Sequence, residues 1–138
     1  MILVDSNVLI DVLDRDPKWF DWSAANINRA AFGAYLFVNP VVIGEMAPRF
    51  EELPHLRQIL TSMLIGIELL SGEGAFLAGR AFDVYRGRKE HGAAKSILAD
   101  FFIGGHAQAV EATILTRDPR FYKSYFPGVP LITPSKDD

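Results

Sequence analysis

The chain has 138 residues, 49% of them hydrophobic and 22% charged, a balance that fits a single domain able to bury a core. It has no cysteine, which excludes a disulfide framework and a thiolate metal site. A net charge of −3 excludes nucleic-acid binding through an overall basic field, so any such binding must use a local patch. No basic leader region is visible, Asp5 and Asp11 cut the first apolar runs, and no run is long and apolar enough to span a bilayer. The sequence therefore reads as that of a cytoplasmic protein without a membrane segment.

Ile2, Leu3 and Val4 form a short apolar run that suits a buried strand of a parallel sheet. Asp5 ends the run, and Ser6 or Asn7 can open a helix over residues 7–13 with Val8, Leu9, Val12 and Leu13 inward. Asp5 then either faces a cleft at the sheet's carboxyl edge or caps that helix. Asp16 and Pro17 read as a second helix start, with the helix carrying Trp19, Trp22, Ile27 and Ala30 to about Gly33. Asp11, Asp14 and Asp16 read as solvated or capping.

Tyr35 to Val38 form the next expected strand, and Pro40 opens a helix in which Glu45 is embedded among Val41, Val42, Ile43 and Met46. A helix follows Pro54, and Ile65 to Leu70 could be a third strand. Ser71 to Gly74 read as a turn, Phe76 to Tyr85 as a helical stripe, and Gly87 to Lys95 as a polar loop. Asp100 begins a markedly apolar helix, DFFIGGHA. Thr113 to Thr116 form a fourth strand, Arg117–Asp118–Pro119 lead into a short helix, and Leu131 and Ile132 form a last small strand. This strand–helix alternation predicts an α/β fold, a three-layer α/β/α arrangement around a parallel sheet of four to five strands. One domain is expected over residues 1–133, with a frayed tail at 134–138.

Four acids stand out. Asp5 and Asp118 follow strands, while Glu45 and Asp100 lie early in helices that begin at the same sheet edge. Gathering four carboxylates in a partly dry cleft is costly unless a cation relieves it. An all-oxygen site favours Mg²⁺ or Mn²⁺ over Zn²⁺, and such ions suit phosphoryl chemistry. Each acid also has a plainer role: Asp118 and Asp100 as helix caps, Glu45 as a solvated side chain. His55, His91 and His106 show no ligand spacing, and His106 reads as a packed or hydrogen-bonded helix residue. The Phe and Trp residues read as core rather than as a stacking platform.

Basic residues cluster twice. Arg80, Arg86, Arg88, Lys89 and Lys95 precede Asp100, and Arg117, Arg120 and Lys123 surround Asp118. Arg86, Arg88, Lys89, Lys95, Arg117 and Arg120 are candidate RNA-binding residues, because they flank two of the acids where a phosphate backbone would lie.

The stretches ILVDSNVLI, NPVVIGEM, ILADFFIGGHA and ILTRDPRFYKSYFPGVPLITP, in that order and spacing, resemble those of the PIN-domain nucleases, specifically the VapC-type toxins of bacterial toxin–antitoxin pairs. The resemblance spans nearly the whole chain. It implies that Asp5, Glu45, Asp100 and Asp118 form the acidic quartet that binds Mg²⁺ or Mn²⁺ and carries catalysis. It also implies that Asn7 orients Asp5 and that Thr116 supports the site from behind the ligands. The implied activity is metal-assisted hydrolysis of RNA by a toxin that forms homodimers and is neutralised by a small VapB-like antitoxin. Two rivals stand beside this reading. One is another metal-dependent phosphoryl-transfer enzyme, such as a phosphatase with Asp5 as nucleophile, which would want an acid where Asn7 stands. The other is a PIN-like module that binds RNA or a protein without cleaving.

Overall fold

Three consecutive apolar residues make a stable strand only when both faces are covered. That is the setting of β1 (Ile2–Val4), all three residues of which are buried. The computed structural model describes residues 1–88 and 97–138, and in it β1 is the middle strand of a five-stranded, all-parallel sheet. The order is β3 (Ile65–Ile67), β2 (Leu36–Val38), β1, β4 (Thr113–Leu115) and β5 (Leu131–Ile132).

Helices α1 (Ser6–Leu13) and α2 (Phe20–Gly33) connect β1 to β2, and α3 (Pro40–Met46) and α4 (Leu53–Ser62) connect β2 to β3. Helices α5 (Gly72–Gly87) and α6 (Ile97–Val110) lie between β3 and β4, and α7 (Pro119–Tyr125) joins β4 to β5. Under the right-handed rule for crossovers between parallel strands, this strand order puts α1–α4 on one face and α5–α7 on the other, giving three α/β/α layers. The chain steps outward from β1 to β3, then returns to β4 on the other side of β1. Such a reversal opens a crevice at the carboxyl ends of the two strands that flank it, here β1 and β4. The register completes the placement. Val4 pairs with Leu115, and the Asp5 N–H donates to the Leu115 carbonyl at 2.9 Å, so Asp5 and Thr116 end side by side.

The expected strands and helices are present, with shifted edges; of the polar loop expected from Gly87 to Lys95, Gly87 closes α5 and residues 89–95 lie outside the described residues. Asp16 does act as a cap, accepting from the N–H groups of Lys18 and Trp19, but of a turn; α2 itself begins at Phe20. Ser71 is the cap of α5, accepting from the Gly74 N–H, so Gly72 to Gly74 are helix rather than turn. The third strand stops at Ile67. Helix α6 already includes Ile97, so Asp100 lies inside its first turn and is not its cap. Residues 135–138 close a turn in which the Asp138 carboxylate accepts from Ser135. His106 is buried, with its Nδ1 3.1 Å from Nδ2 of Asn39. Burial lowers its pKa, so the neutral ring is favoured there. Asn39 also caps α3 by accepting from the Val42 N–H, which ties the start of α3 to α6.

Helices α5 and α6 cross in close contact because Gly105 has no side chain. A Cβ there would overlap the Gly74 carbonyl oxygen and come within 2.7 Å of the Ala78 nitrogen. On the neighbouring position, a Cβ at Gly104 would run into the ring of Phe126. Gly105→Ala is therefore expected to force the helices apart and cost about 1–3 kcal/mol, several degrees of Tm. Gly79→Ala, on the exposed face of α5 with nothing within 4 Å of its Cβ, is expected to leave stability unchanged or raise it by up to ~1 kcal/mol. Thermal denaturation of the two variants checks this; equal Tm values would contradict the crossing as described.

Candidate functional site

The end of β1 delivers Asp5 into the crevice at 3% exposure, and the start of α1 turns the chain away from it. Asp5 is both cap and cleft residue. Its Oδ1 accepts from the Ser6 N–H at 2.8 Å, and its Oδ2 faces a second set of donors. Those are the Thr116 hydroxyl at 2.9 Å, the Tyr122 hydroxyl at 2.9 Å and, more weakly, the Asn7 amide at 3.4 Å. Burial pushes the Asp5 pKa up; the Thr116, Tyr122 and Ser6 hydrogen bonds oppose that rise, and the nearby Asp118 charge adds to it.

Asn7 and Thr116, both bonded to Asp5, have further partners. The Asn7 Oδ1 accepts from the Arg117 N–H at 3.1 Å. Thr116 Oγ1 accepts from the Asp118 N–H at 3.1 Å while donating to Asp5. Asp118 occupies the N-cap position of α7 but makes no side-chain cap bond, and its side chain is exposed toward the cleft. Its plainer role as a helix cap does not hold.

Two residues escaped the sequence reading. Tyr122 looks like one more core aromatic, yet its hydroxyl is aimed at Asp5 and its pKa is raised, first by burial and then by the charges of Asp5 and Asp100. Asp11 reads as solvated, but it is 1% exposed. It accepts a two-pronged contact from the Arg117 guanidinium at 2.7 and 3.0 Å and another bond from the Ser23 hydroxyl at 2.7 Å. That clasp pins the loop carrying Asp118 to α1 and α2. The guanidinium of Arg117 is thereby engaged inside the protein and lies 5.4 Å over the ring of Trp19.

Asp5, Glu45, Asp100 and Asp118 line one cleft of about 180 Å³, together with Ser6, Asn7, Phe121 and Tyr122. Glu45 comes from α3 and Asp100 from α6. The pKa of Glu45 is raised by burial and by Asp5, against a Ser6 hydrogen bond, and its Oε1 is buried with no hydrogen-bond partner among the described residues. Asp100 is pushed up to about 7 by burial, then by the charges of Asp5, Glu45 and Asp118. The four acids share the cleft, yet among the described residues no three acidic or His side chains are closed into a metal-holding group. Mutual repulsion keeps bare carboxylates apart, and Mg²⁺ needs only one or two direct carboxylates because it retains waters. A donor set made only of carboxylate oxygens, one of them buried and unpartnered, fits a hard divalent cation.

Of the basic residues, Arg86 and Arg88 are exposed at the end of α5, and Arg88 lies 5.1 Å over the ring of Tyr125 on α7. Arg120 is exposed on α7 itself. Lys89 and Lys95 lie outside the described residues.

The raised Asp100 pKa fixes the sign of a pH effect. The folded state holds that proton more tightly than the unfolded chain does. The stability it contributes is full below the ordinary value of 3.8 and is lost as the pH rises through about 7. In chelator, denaturation at a series of pH values between those limits and above is expected to show roughly 1–3 kcal/mol of such loss, after solvent screening, and Asp100→Asn is expected to flatten it. An unchanged pH slope in the variant would contradict the crowding of charge around Asp100.

The sequence model of the PIN domain family matches residues 2–127. No curated protein matches significantly. Among solved structures, the chain is similar to VapBC2 from Rickettsia felis bound to a promoter DNA fragment, at 19% identity and a TM-score of 0.72 over 96% of this chain and 98% of that one. It is similar to FitAcB from Neisseria gonorrhoeae at 17% identity and a TM-score of 0.69 over 96% of both chains. A toxin–antitoxin complex from Klebsiella pneumoniae matches at 20% identity and a TM-score of 0.62 over 98% of both. At these identities the likeness is one of fold. The family match covers nearly the whole chain, including all four cleft acids, and the chain belongs to the PIN domain family.

Proposed function

We propose that this protein is a VapC-type toxin, a Mg²⁺- or Mn²⁺-dependent endoribonuclease of a type II toxin–antitoxin pair. One observation carries the reading: carboxylates from four separate segments face one small cleft, with a buried Glu45 oxygen left unpartnered among the described residues. Membership of the PIN family and a fold shared with toxin–antitoxin complexes support it. A small VapB-like antitoxin, a homodimeric state and a cytoplasmic location belong to the same proposal. Among the described residues no helix is long and apolar enough to cross a membrane.

Asp5, Glu45, Asp100 and Asp118 would hold the cation, which when bound supplies positive charge against the phosphoryl oxygens and acidifies water. The chain's own residues do the rest. Ser6, Thr116 and Tyr122 fix both oxygens of Asp5, so its carboxylate cannot rotate. Asp100 holds a proton near neutrality on a cleft-lining oxygen and can give it up as positive charge enters. Arg86, Arg88 and Arg120 offer exposed cations on the α5–α7 side to a phosphate backbone. Arg117 acts through Asp11 and the Asp118 loop in this reading, while Lys89 and Lys95 remain expected contacts. Asn7 bonds Asp5 and Arg117 with a neutral amide, which disfavours the phosphatase rival because an amide cannot act as its second acid.

RNA incubated with the protein and Mn²⁺ is expected to be cut, and chelator to stop the cutting. Asp100→Asn is expected to lose at least about a hundredfold of that rate, together with the ion-induced rise in stability, which for the wild type is ~2.7 kcal/mol at a hundredfold excess over Kd. Cleavage by Asp100→Asn at the wild-type rate would overturn the reading. Replacing Arg86 and Arg88 together by Gln is expected to weaken RNA binding and lower its salt slope by about two. An unchanged slope would remove them from the binding face.

A further inference from the structure

Both tryptophans of the chain line a second cleft, between the start of α2 and the end of β5. Its volume is about 580 Å³, and it shares no lining residue with the carboxylate cleft. Trp19 and Trp22 meet edge to face with centroids 6.2 Å apart. Thr133 contributes a buried hydroxyl that has no hydrogen-bond partner among the described residues. Asn26 donates its side-chain nitrogen to the Trp22 carbonyl at 2.8 Å, a bond that does not use its side-chain oxygen.

The charges along this cleft cancel. Lys18 and Arg29 are matched by Asp21 and Asp138, so there is no net field to gather phosphates. What remains is aromatic surface, that of Trp22 above all because the Trp19 ring already carries Lys18 Nζ at 4.9 Å and the Arg117 guanidinium at 5.4 Å, with hydrogen-bonding groups beside it. That chemistry suits a flat, uncharged heteroaromatic ring, and volume is ample for one. The two clefts are joined through one residue. Arg117 gives its backbone N–H to Asn7 at the carboxylate cleft and lays its guanidinium over the ring of Trp19.

We propose that the tryptophan cleft receives one unpaired base of an RNA strand whose backbone crosses the carboxylate cleft. The proposal rests on the ribonuclease reading above. Stacking on tryptophan accepts any base, while the Thr133 hydroxyl and the Asn26 oxygen give a limited preference among bases. The site thus serves a nucleotide beside the scissile bond, not the scissile phosphate itself.

Because no other tryptophan exists in the chain, intrinsic fluorescence reports directly on this cleft. A short single-stranded oligoribonucleotide, added in chelator to prevent cutting, is expected to quench it saturably. Trp22→Leu is expected to weaken binding by roughly tenfold. Thr133→Val, which keeps shape and loses the hydroxyl, is expected to weaken it by less and to change the preference among homopolymers. It also serves as the second test if Trp22→Leu fails to fold. RNA retained in a mobility shift without quenching, or bound equally well by both cleft variants, would overturn the base site alone. Failure of the wild type to bind any RNA, in chelator and with Mn²⁺ alike, would overturn the ribonuclease reading and the base site with it.

Discussion

A carboxylate held almost without solvent at the end of a central strand is the constraint from which the rest of this structure follows. Asp5 sits at the carboxyl end of β1, where burial opposes its charge, and it persists there because donors converge on it from three parts of the chain. The Ser6 N–H comes from α1, the Thr116 hydroxyl from the end of β4, and the Tyr122 hydroxyl from α7. Removing any one leaves a buried acceptor short of a partner, which costs far more than an exposed bond would. The same bonds that make Asp5 tolerable therefore lock the strand end, the β4–α7 loop and α7 to one another.

Around that fixed point the other acids are placed by ordinary packing. The contact of Gly105 with Gly74 and Ala78 sets how closely α6 lies on α5, and so where Asp100 enters the cleft. The Asn39–His106 contact ties the start of α3 to the same helix, which relates Glu45 to Asp100. The Asp11–Arg117 clasp does this for Asp118. A buried ion pair is weak support for stability in general. Here it has a geometric consequence: it holds a loop whose leading acid has no cap bond to hold it. The fold thus gathers like charges in a partly dry cleft, and the rise of Asp100 to about 7, caused first by burial and then by the charges of Asp5, Glu45 and Asp118, is the trace of that arrangement.

Much of this was legible in the residue order. An apolar triplet followed by Asp5, a later strand that ends just before Asp118, and Asp100 in the first turn of α6 mark one sheet edge because parallel strands all end on the same side; Glu45, expected early in its helix, instead lies near the end of the seven-residue α3 and reaches the cleft from there. Asp5, Glu45, Asp100 and Asp118 could be gathered on that ground before any coordinates. Tyr122 could not, since a tyrosine among Phe121, Tyr125 and Phe126 looks like core and only its hydroxyl, bonded to Asp5, sets it apart. Asp11 was hidden by company: with Asp14, Arg15 and Asp16 close by it reads as a polar surface, and its partner Arg117 lies 106 positions away. The start of α6 at Ile97 is hidden for a related reason, because Asp100 resembles a cap where the apolar run becomes dense. Gly104 and Gly105 gave no sign that one meets Phe126 and the other α5.

Diffraction from a crystal grown with Mn²⁺, recorded at the manganese absorption edge, tests the central claim most directly. An anomalous peak within bonding distance of Asp5 and Asp100, bordered by Glu45 and Asp118, is the expected result. A peak seated elsewhere on the chain, or none in the cleft at saturating Mn²⁺, would mean that these four carboxylates share a space for some reason other than holding a cation.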